Sequence, residues 1–240
     1  MLVVLARLGD EEAVRLVDRW QSAGVACLTP GDLSRSGWKH KPGRAEGTAV
    51  IGGTLWNNSD IGAVLVRLEA VTPMDLPHVS PSDRSYVASE MTAFLLSWLT
   101  SIRARVVNRP TPACLGGPGW RQEKWIATAA RLGFPVNPIS RSTALGDTAL
   151  DKSLHVTRRR SATLTVIGEK CLNSPSKRHS ESGIELARSA GVQLLSVTFG
   201  PDDSAGKQEP KEVILAASPW PSLSENHVAD TVLCLLEART

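Results

Sequence analysis

Five histidines, four cysteines and a few flanking carboxylates are the groups in this 240-residue chain that could hold a metal or move a proton. The cysteines, Cys27, Cys114, Cys171 and Cys234, are far apart in the chain. No C-x-x-C pair occurs, so neither a zinc site nor a redox dithiol is expected. They read as buried free thiols. The histidines are His40, His78, His155, His179 and His227. None lies one helical turn from another histidine or from a cysteine, so no metal or triad spacing is present and they read as single surface histidines. No G-x-S-x-G nucleophile turn occurs among the many serines. Glu69, Asp83 and Glu90 flank or enter a helix expected from Arg84. Glu90 falls beside Met91 on a mostly apolar face. Burial there would need a cation such as Arg67 or Arg109, so a structural ion pair is expected rather than a catalytic acid.

Two features could take an anion. Leu115-Gly116-Gly117-Pro118-Gly119-Trp120 precedes a helix, where backbone N–H groups can cradle phosphate. It fits neither G-x-G-x-x-G nor the P-loop pattern, and Pro118 removes one donor, so a plain turn is expected. Arg158, Arg159 and Arg160 form the strongest charge cluster. They sit in a polar stretch, 140–160, that also holds Arg141 and Lys152 against Asp147 and Asp151. Such a run is either a solvated loop or a docking site for an acidic peptide or phosphate.

The elements that position these groups follow from the apolar pattern. Leu2–Ala6 is a short apolar run, read as a buried strand. Asp10 caps a helix over 11–23 whose Val14, Leu16, Val17 and Trp20 fit a 3.6-residue period, and Gly24 ends it. Val25–Leu28 completes a β-α-β unit, the mark of a parallel sheet. Residues 30–47 read as loop, and Ala49–Ile51 with Thr54–Trp56 as a hairpin around Gly52-Gly53. Ala63–Arg67 is another strand, and a helix from Arg84 to Leu99 follows a proline-rich loop. Ala104–Val107, a helix over 120–132 and a short strand at Val136–Ile139 come next. Ala162–Gly168 and Val192–Phe199 are strands around a helix from about Lys177. Residues 202–210 read as a hairpin loop, Glu212–Ala217 as a strand and Glu225–Glu237 as a closing helix. Of the tryptophans, Trp56, Trp120, Trp125 and Trp220 stand beside turns or helix ends, where packing under loops is expected.

Composition bounds the function. The chain is 42% hydrophobic and 21% charged, with net charge +3. That is ordinary globular composition, and the charge is too small to point to nucleic acid or a membrane surface as partner. The longest apolar stretches fall far short of the ~18 residues of a membrane span. Met1–Ala6 has no basic stretch before it and does not read as a signal peptide, so a cytoplasmic location is expected.

Val107-Asn108-Arg109-Pro110, followed by a loop, a helix and Ala129-Ala130-Arg131-Leu132-Gly133-Phe134-Pro135-Val136, resembles the junction between the N-terminal and nucleotide-binding domains of ATP-grasp carboxylate-amine ligases. The last 60 or so residues match again in order: a helix, Gly191-Val192, a strand, a hairpin loop, a strand, a Pro-x-Pro turn and a final helix. The resemblance covers about 1–140 and 162–240. It implies an α/β fold with an N-terminal parallel-sheet domain (1–110), a linker helix and basic loop (111–161), and a truncated ATP-grasp-like α+β lobe (162–240). The departures are specific. Only residues 140–160 stand where the family has its central nucleotide-gripping subdomain, too few for a sheet of several strands of ~5 residues. The family's metal-binding Asp and Glu-x-Asn fall, by register, on Thr198, Ala216 and Ser218, so no carboxylate remains to hold Mg²⁺.

The resemblance therefore implies a degenerate protein that needs no cofactor. Its expected role is a non-catalytic partner of an intact ATP-grasp ligase or of an acidic peptide in a biosynthetic pathway. Arg109, Arg158, Arg159 and Arg160 are its ligand-binding candidates. Arg109 is expected past the carboxyl end of a parallel strand, facing the cleft between the lobes. Two other readings stay open at this point: an ATP- and Mg²⁺-dependent ligase whose site is atypical or completed by a second copy of the chain, and a generic Rossmann-like nucleotide-binding module.

Overall fold

The structure is a computed structural model that describes residues 1–137, 139, 161–201 and 212–238. Four short strands, β1 (Leu2–Leu5), β2 (Val25–Leu28), β6 (Ala63–Val66) and β7 (Arg105–Val107), form a parallel sheet in the order β2-β1-β6-β7. Between them come a three-stranded antiparallel sheet of β3 (Lys39–His40), β4 (Gly47–Ile51) and β5 (Thr54–Asn57), and the helices α1 (Glu11–Arg19) and α2 (Arg84–Ser101). The second half begins with α3 (Gln122–Arg131). It builds an antiparallel sheet from β8 (Ala162–Ile167), β9 (Lys170–Leu172), β10 (Leu194–Pro201) and β11 (Glu212–Ser218), in the order β11-β10-β8-β9. The helices α4 (Lys177–Ala190) and α5 (Asn226–Glu237) complete it.

The parallel strands are apolar on both faces because both faces are covered. Val3, Leu5, Val64 and Val66 point toward α2 and meet Leu95, Trp98 and Leu99, together with Ala49 and Ile51 of β4. Leu2, Val4 and Leu65 point the other way, onto Leu16 of α1 and Val228, Val232 and Leu236 of α5. This is the continuous apolar run expected of a buried parallel strand. It also shows that the stretch 162–240 serves two cores. Its last helix covers the first sheet, while its sheet makes a core with α3 and α4 through Trp125, Ala129, Leu164, Leu186, Leu195 and Val197. Among the described residues no helix is long and apolar enough to cross a membrane.

Several local expectations change on folding. The helix after Asp10 stops at Arg19, and residues 21–23 form a separate 3₁₀ turn closed by Gly24 at φ 67°. The loop 30–47 contains a 3₁₀ turn, Pro30–Ser34, and the short strand β3. The strand expected at Val136–Ile139 is a single bridge, Val136 to Ile214, on the outer edge of β11. The strand β9, hidden in sequence by its three-residue length, pairs with β8 after a turn at Gly168.

Candidate functional site

The carboxyl ends of the parallel strands are where an open α/β sheet presents ligand-binding groups. Arg67, the residue after β6, binds Asp10 there (Nε to Oδ2, 3.1 Å) and Glu12 (Nη2 to Oε2, 2.7 Å). Asp10 is the N-cap of α1, and its Oδ1 accepts the N–H groups of Glu12 and Ala13 at 3.0 Å each. Glu12 Oε1 accepts from Ser222 Oγ at 3.0 Å and from the N–H of Leu223. The cluster ties both halves of the chain and spends its charges internally. Burial works to raise the Asp10 pKa, but the Ala13 N–H bond, the Arg67 guanidinium and the Glu12 N–H outweigh it and hold the carboxyl below its ordinary value. A carboxyl depressed in the folded state stabilises above its unfolded pKa of ~3.9 and loses that contribution as pH falls through the folded value. Asp10→Asn, which keeps a capping oxygen, should therefore be less stable than the parent at pH 7. The two should converge in acid, as pH falls through the depressed folded value, as read by urea midpoints. A difference that stays constant with pH would contradict this account.

The strand that ends in Val107 leads into Asn108, which is buried and fully partnered. Its Oδ1 accepts the N–H groups of Gln193 and Leu194, both at 2.8 Å, and its Nδ2 donates to Leu194 O at 3.0 Å and Pro219 O at 3.2 Å. This residue joins the parallel sheet to the start of β10 and to the exit of β11. Arg109 follows it, exposed, with no carboxylate in ion-pair range among the described residues. Asp83 and Glu90 are both exposed. The buried setting expected for Glu90 is corrected. At its place on α2 the side chain points past the core formed by Ala88, Leu95 and Trp98.

The register brings together the three positions that the resemblance assigns to metal ligands. Thr198 lies opposite Ala216 across β10 and β11, with Ser196 opposite Ser218. Leu195, Val197 and Ala217 face the core against α3 and α4, so Ser196, Thr198, Ala216 and Ser218 share the other face of the sheet. The hydroxyls there are already spent: Thr198 Oγ1 meets Thr163 Oγ1 at 3.1 Å, and Ser196 Oγ donates to Ser218 O at 3.2 Å. A hard dication takes carboxylate oxygens by preference. A methyl group and paired hydroxyls do not fit Mg²⁺. Among the described residues no group of three or more His, Cys, Asp or Glu is placed to share a metal ion. Arg158, Arg159 and Arg160 lie outside the described residues.

The loop before α3 is the expected turn. Thr111 and Cys114 exchange backbone bonds, the Leu115 N–H goes to Glu69 O at 2.8 Å, and Thr111 Oγ1 donates to Gly117 O at 2.9 Å. Gly117, at φ 121°, occupies backbone that a side chain would strain. Gly116 is needed for a different reason. The Trp220 ring lies where its Cβ would be, so even alanine there must displace the indole.

Sequence reasoning missed two structural groups. Gln122, at the start of α3, bonds both backbone groups of Ala217 on the outer edge of β11 (Nε2 to O, 3.0 Å; N to Oε1, 3.2 Å). With the bridge at Val136 it covers an edge that would otherwise be open to pairing with another strand. The histidines, expected to stand alone, are also corrected. His179 Nε2 lies 2.9 Å from Glu212, with Ser176 Oγ at 2.7 Å from its Nδ1 and Phe199 edge-on at 4.4 Å. His227 lies 3.5 Å from Glu225. His40 is half-buried, bonds Ser97 at 2.8 Å, and its pKa is lowered by burial. Ser176 caps α4 through the His179 N–H, so that cluster fastens a helix end to β11.

All four cysteines are free, but only Cys114 is buried, and Cys234 is exposed. Burial, with Asp32 and Asp10 nearby, pushes the Cys27 thiol to about 11. Burial also raises Cys114 and Cys171. The thiolate is the reactive form, so a maleimide at neutral pH should label Cys234 first and Cys27 among the last, as mapped by peptide mass analysis. Fast labelling of Cys27 in the folded protein would contradict this environment.

No protein-family model and no curated protein sequence matches the chain. Solved structures do. The macrocyclase MdnC from Microcystis aeruginosa MRC, bound with precursor peptide MdnA, is similar at TM-score 0.66 and 11% identity, over 99% of this chain and 100% of that one. The ATP-grasp ligase PsnB with a minimal precursor is similar at TM-score 0.65 and 10% identity, over 98% and 99%. A RiPP-associated ATP-grasp ligase from Chryseobacterium gregarium, with ADP and a leader and core peptide, is similar at 0.63 and 11%, over 98% and 96%. At such identities the likeness speaks of architecture. Together with the parallel first sheet and the antiparallel second sheet, it establishes that this chain has the ATP-grasp-like α/β fold.

Proposed function

We propose that the chain is a non-catalytic ATP-grasp-like protein that binds a peptide, acting as an accessory partner in an ATP-grasp ligase-dependent modification pathway. The observation that carries this reading is the face shared by Thr198, Ala216 and Ser218, which offers no carboxylate to a metal. Phosphoryl transfer rests on positioning and on neutralisation of phosphate charge by metal ions. Without ligands for the metal, the sheet keeps its shape and loses that chemistry. The peptide side of the reading is supported by the similar ligases, whose structures hold precursor peptides. Within this reading the working division is 1–110, 111–161 and 162–240, and Arg109 with Arg158, Arg159 and Arg160 supplies charge for an acidic segment.

Calorimetry with ATP and Mg²⁺ tests it. The expected result is binding no tighter than millimolar, about −4 kcal/mol, whereas a micromolar constant, about −8 kcal/mol, with release of ADP would overturn the non-catalytic reading. That second outcome would favour a ligase whose site is completed by another copy of the chain. In a parallel arm, replacing Arg158, Arg159 and Arg160 together by alanine should weaken capture of an intact ligase or an acidic peptide. It should leave the melting temperature nearly unchanged, because exposed charges contribute little to stability. The lost affinity should match what the parent loses when salt is raised, since exposed charges are screened beyond ~8 Å at physiological ionic strength.

A further inference from the structure

A cavity of about 730 Å³ opens between the loop 111–119 and the first turn of α3. That is within the ~300–1,000 Å³ range of ordinary ligand sites. It lies past the carboxyl end of β7, on the side where open α/β sheets take their ligands. Its base is Trp120, half-buried, whose ring leans on the buried Trp125 at 4.7 Å. Lys124 Nζ sits 4.3 Å from the Trp120 ring centroid. Arg121 and the exposed Pro112 also line the opening. Neither Arg121 nor Lys124 has a carboxylate in ion-pair range among the described residues, and neither has Arg109, two residues before the lining begins at Thr111. Glu123, the acidic residue of the lining, is itself partnered.

The loop weakens one kind of anion grip. The N–H groups of Thr111, Cys114, Leu115 and Trp120 all bond to protein carbonyls, and Pro118 has none. Several of the loop's amides are therefore spent or missing, and the anion contacts argued below are side-chain ones. What remains is side-chain charge at the rim beside a proline and an indole. Those surfaces suit an extended peptide, since proline and aromatic platforms bury apolar side chains while cations pair with carboxylates.

We propose that this cavity docks an acidic peptide segment, with an apolar side chain of the peptide against Trp120 and Pro112 and a neighbouring carboxylate between Arg121 and Lys124. The assignment rests on the peptide-binding reading above and gives it a place. It is tested on the full chain by fluorescence anisotropy with a fluorescein-labelled, amidated peptide of alternating Glu and Phe, beside its Gln-Phe counterpart. The Glu-Phe peptide should bind at least tenfold more tightly than the Gln-Phe peptide. The Arg121→Glu/Lys124→Glu double variant should abolish that preference, and Trp120→Ala should weaken binding about fivefold. Trp120→Phe keeps an aromatic ring over Trp125 and should recover most of the loss, which separates a contact from a packing defect. An unchanged preference in the double variant would overturn the assignment, and so would parent protein that binds neither peptide. Competition by ADP or inorganic phosphate, lost on Lys124→Glu, would make the cavity a phosphate site and overturn it as well. The non-catalytic reading falls separately, on micromolar MgATP binding with ADP release, and the peptide-binding reading falls if the chain captures neither an acidic peptide nor an intact ligase. It stands if peptide binding persists but depends on Arg158, Arg159 and Arg160 instead.

Discussion

Asn108→Ala is expected to be the most damaging single polar substitution in the chain, with a loss of about 3–5 kcal/mol in urea unfolding. The side chain is buried and makes four hydrogen bonds, two as acceptor and two as donor, to Gln193, Leu194 and Pro219. A net hydrogen bond is worth only ~1 kcal/mol, but each buried backbone group left without a partner costs about 1–3 kcal/mol. The alanine variant strands two N–H groups and up to two carbonyls at the seam where the parallel sheet meets β10. For a chain of this size, a loss of that order lowers the melting temperature by roughly 10 °C. Asn108→Asp sharpens the test. It keeps an acceptor for the two N–H groups but turns an anionic oxygen toward Leu194 O and Pro219 O. It should be worse than alanine at neutral pH and recover in acid, where a protonated carboxyl can donate again. A loss under about 1 kcal/mol for alanine would mean that water or a rearranged loop replaces the amide.

Trp125→Ala should cost a comparable ~3–5 kcal/mol, by a different mechanism. The indole is 1% exposed and is the largest group in the core between α3, α4 and the second sheet. Truncation removes its transfer energy and leaves a cavity that helix and strands can only partly close. It also removes the support on which the Trp120 ring leans. The variant should show a lower urea midpoint with an unchanged slope if it stays two-state. Trp125→Phe should retain part of the loss, because a six-membered ring fills some of the space. Parent-like stability of the alanine variant would mean that this core is not closed as described.

The local elements were legible because local sequence carries the signals that form them. Asp10 bonds the second and third N–H groups of α1 as a helix cap must. The apolar runs at Leu2–Leu5 and Ala63–Val66 became strands buried on both faces. The pairing of Thr198 with Ala216, beside a register shift at Thr198/Phe199, is given by the structure. The resemblance carried by Val107-Asn108-Arg109-Pro110 pointed to the architecture, and the solved ligases agree with it.

What sequence could not decide was which buried surface meets which. Periodicity shows that a face of α5 is apolar, yet Val228 and Val232 cover Leu2 and Val4, more than 220 residues away in the chain, and nothing in either segment names the other. Asn108 reads as a loop residue until the fold brings backbone groups 85 and 111 residues away to its amide. The same holds for His179 with Glu212 and for Gln122 on the edge of β11. The cavity at Trp120 exists only because the loop 111–119 closes on itself and Trp125 holds the ring from beneath. Local patterns fix how much of a segment leaves water. Directional bonds and cavities depend on atoms that meet only after that burial, so tertiary structure alone assigns the partners.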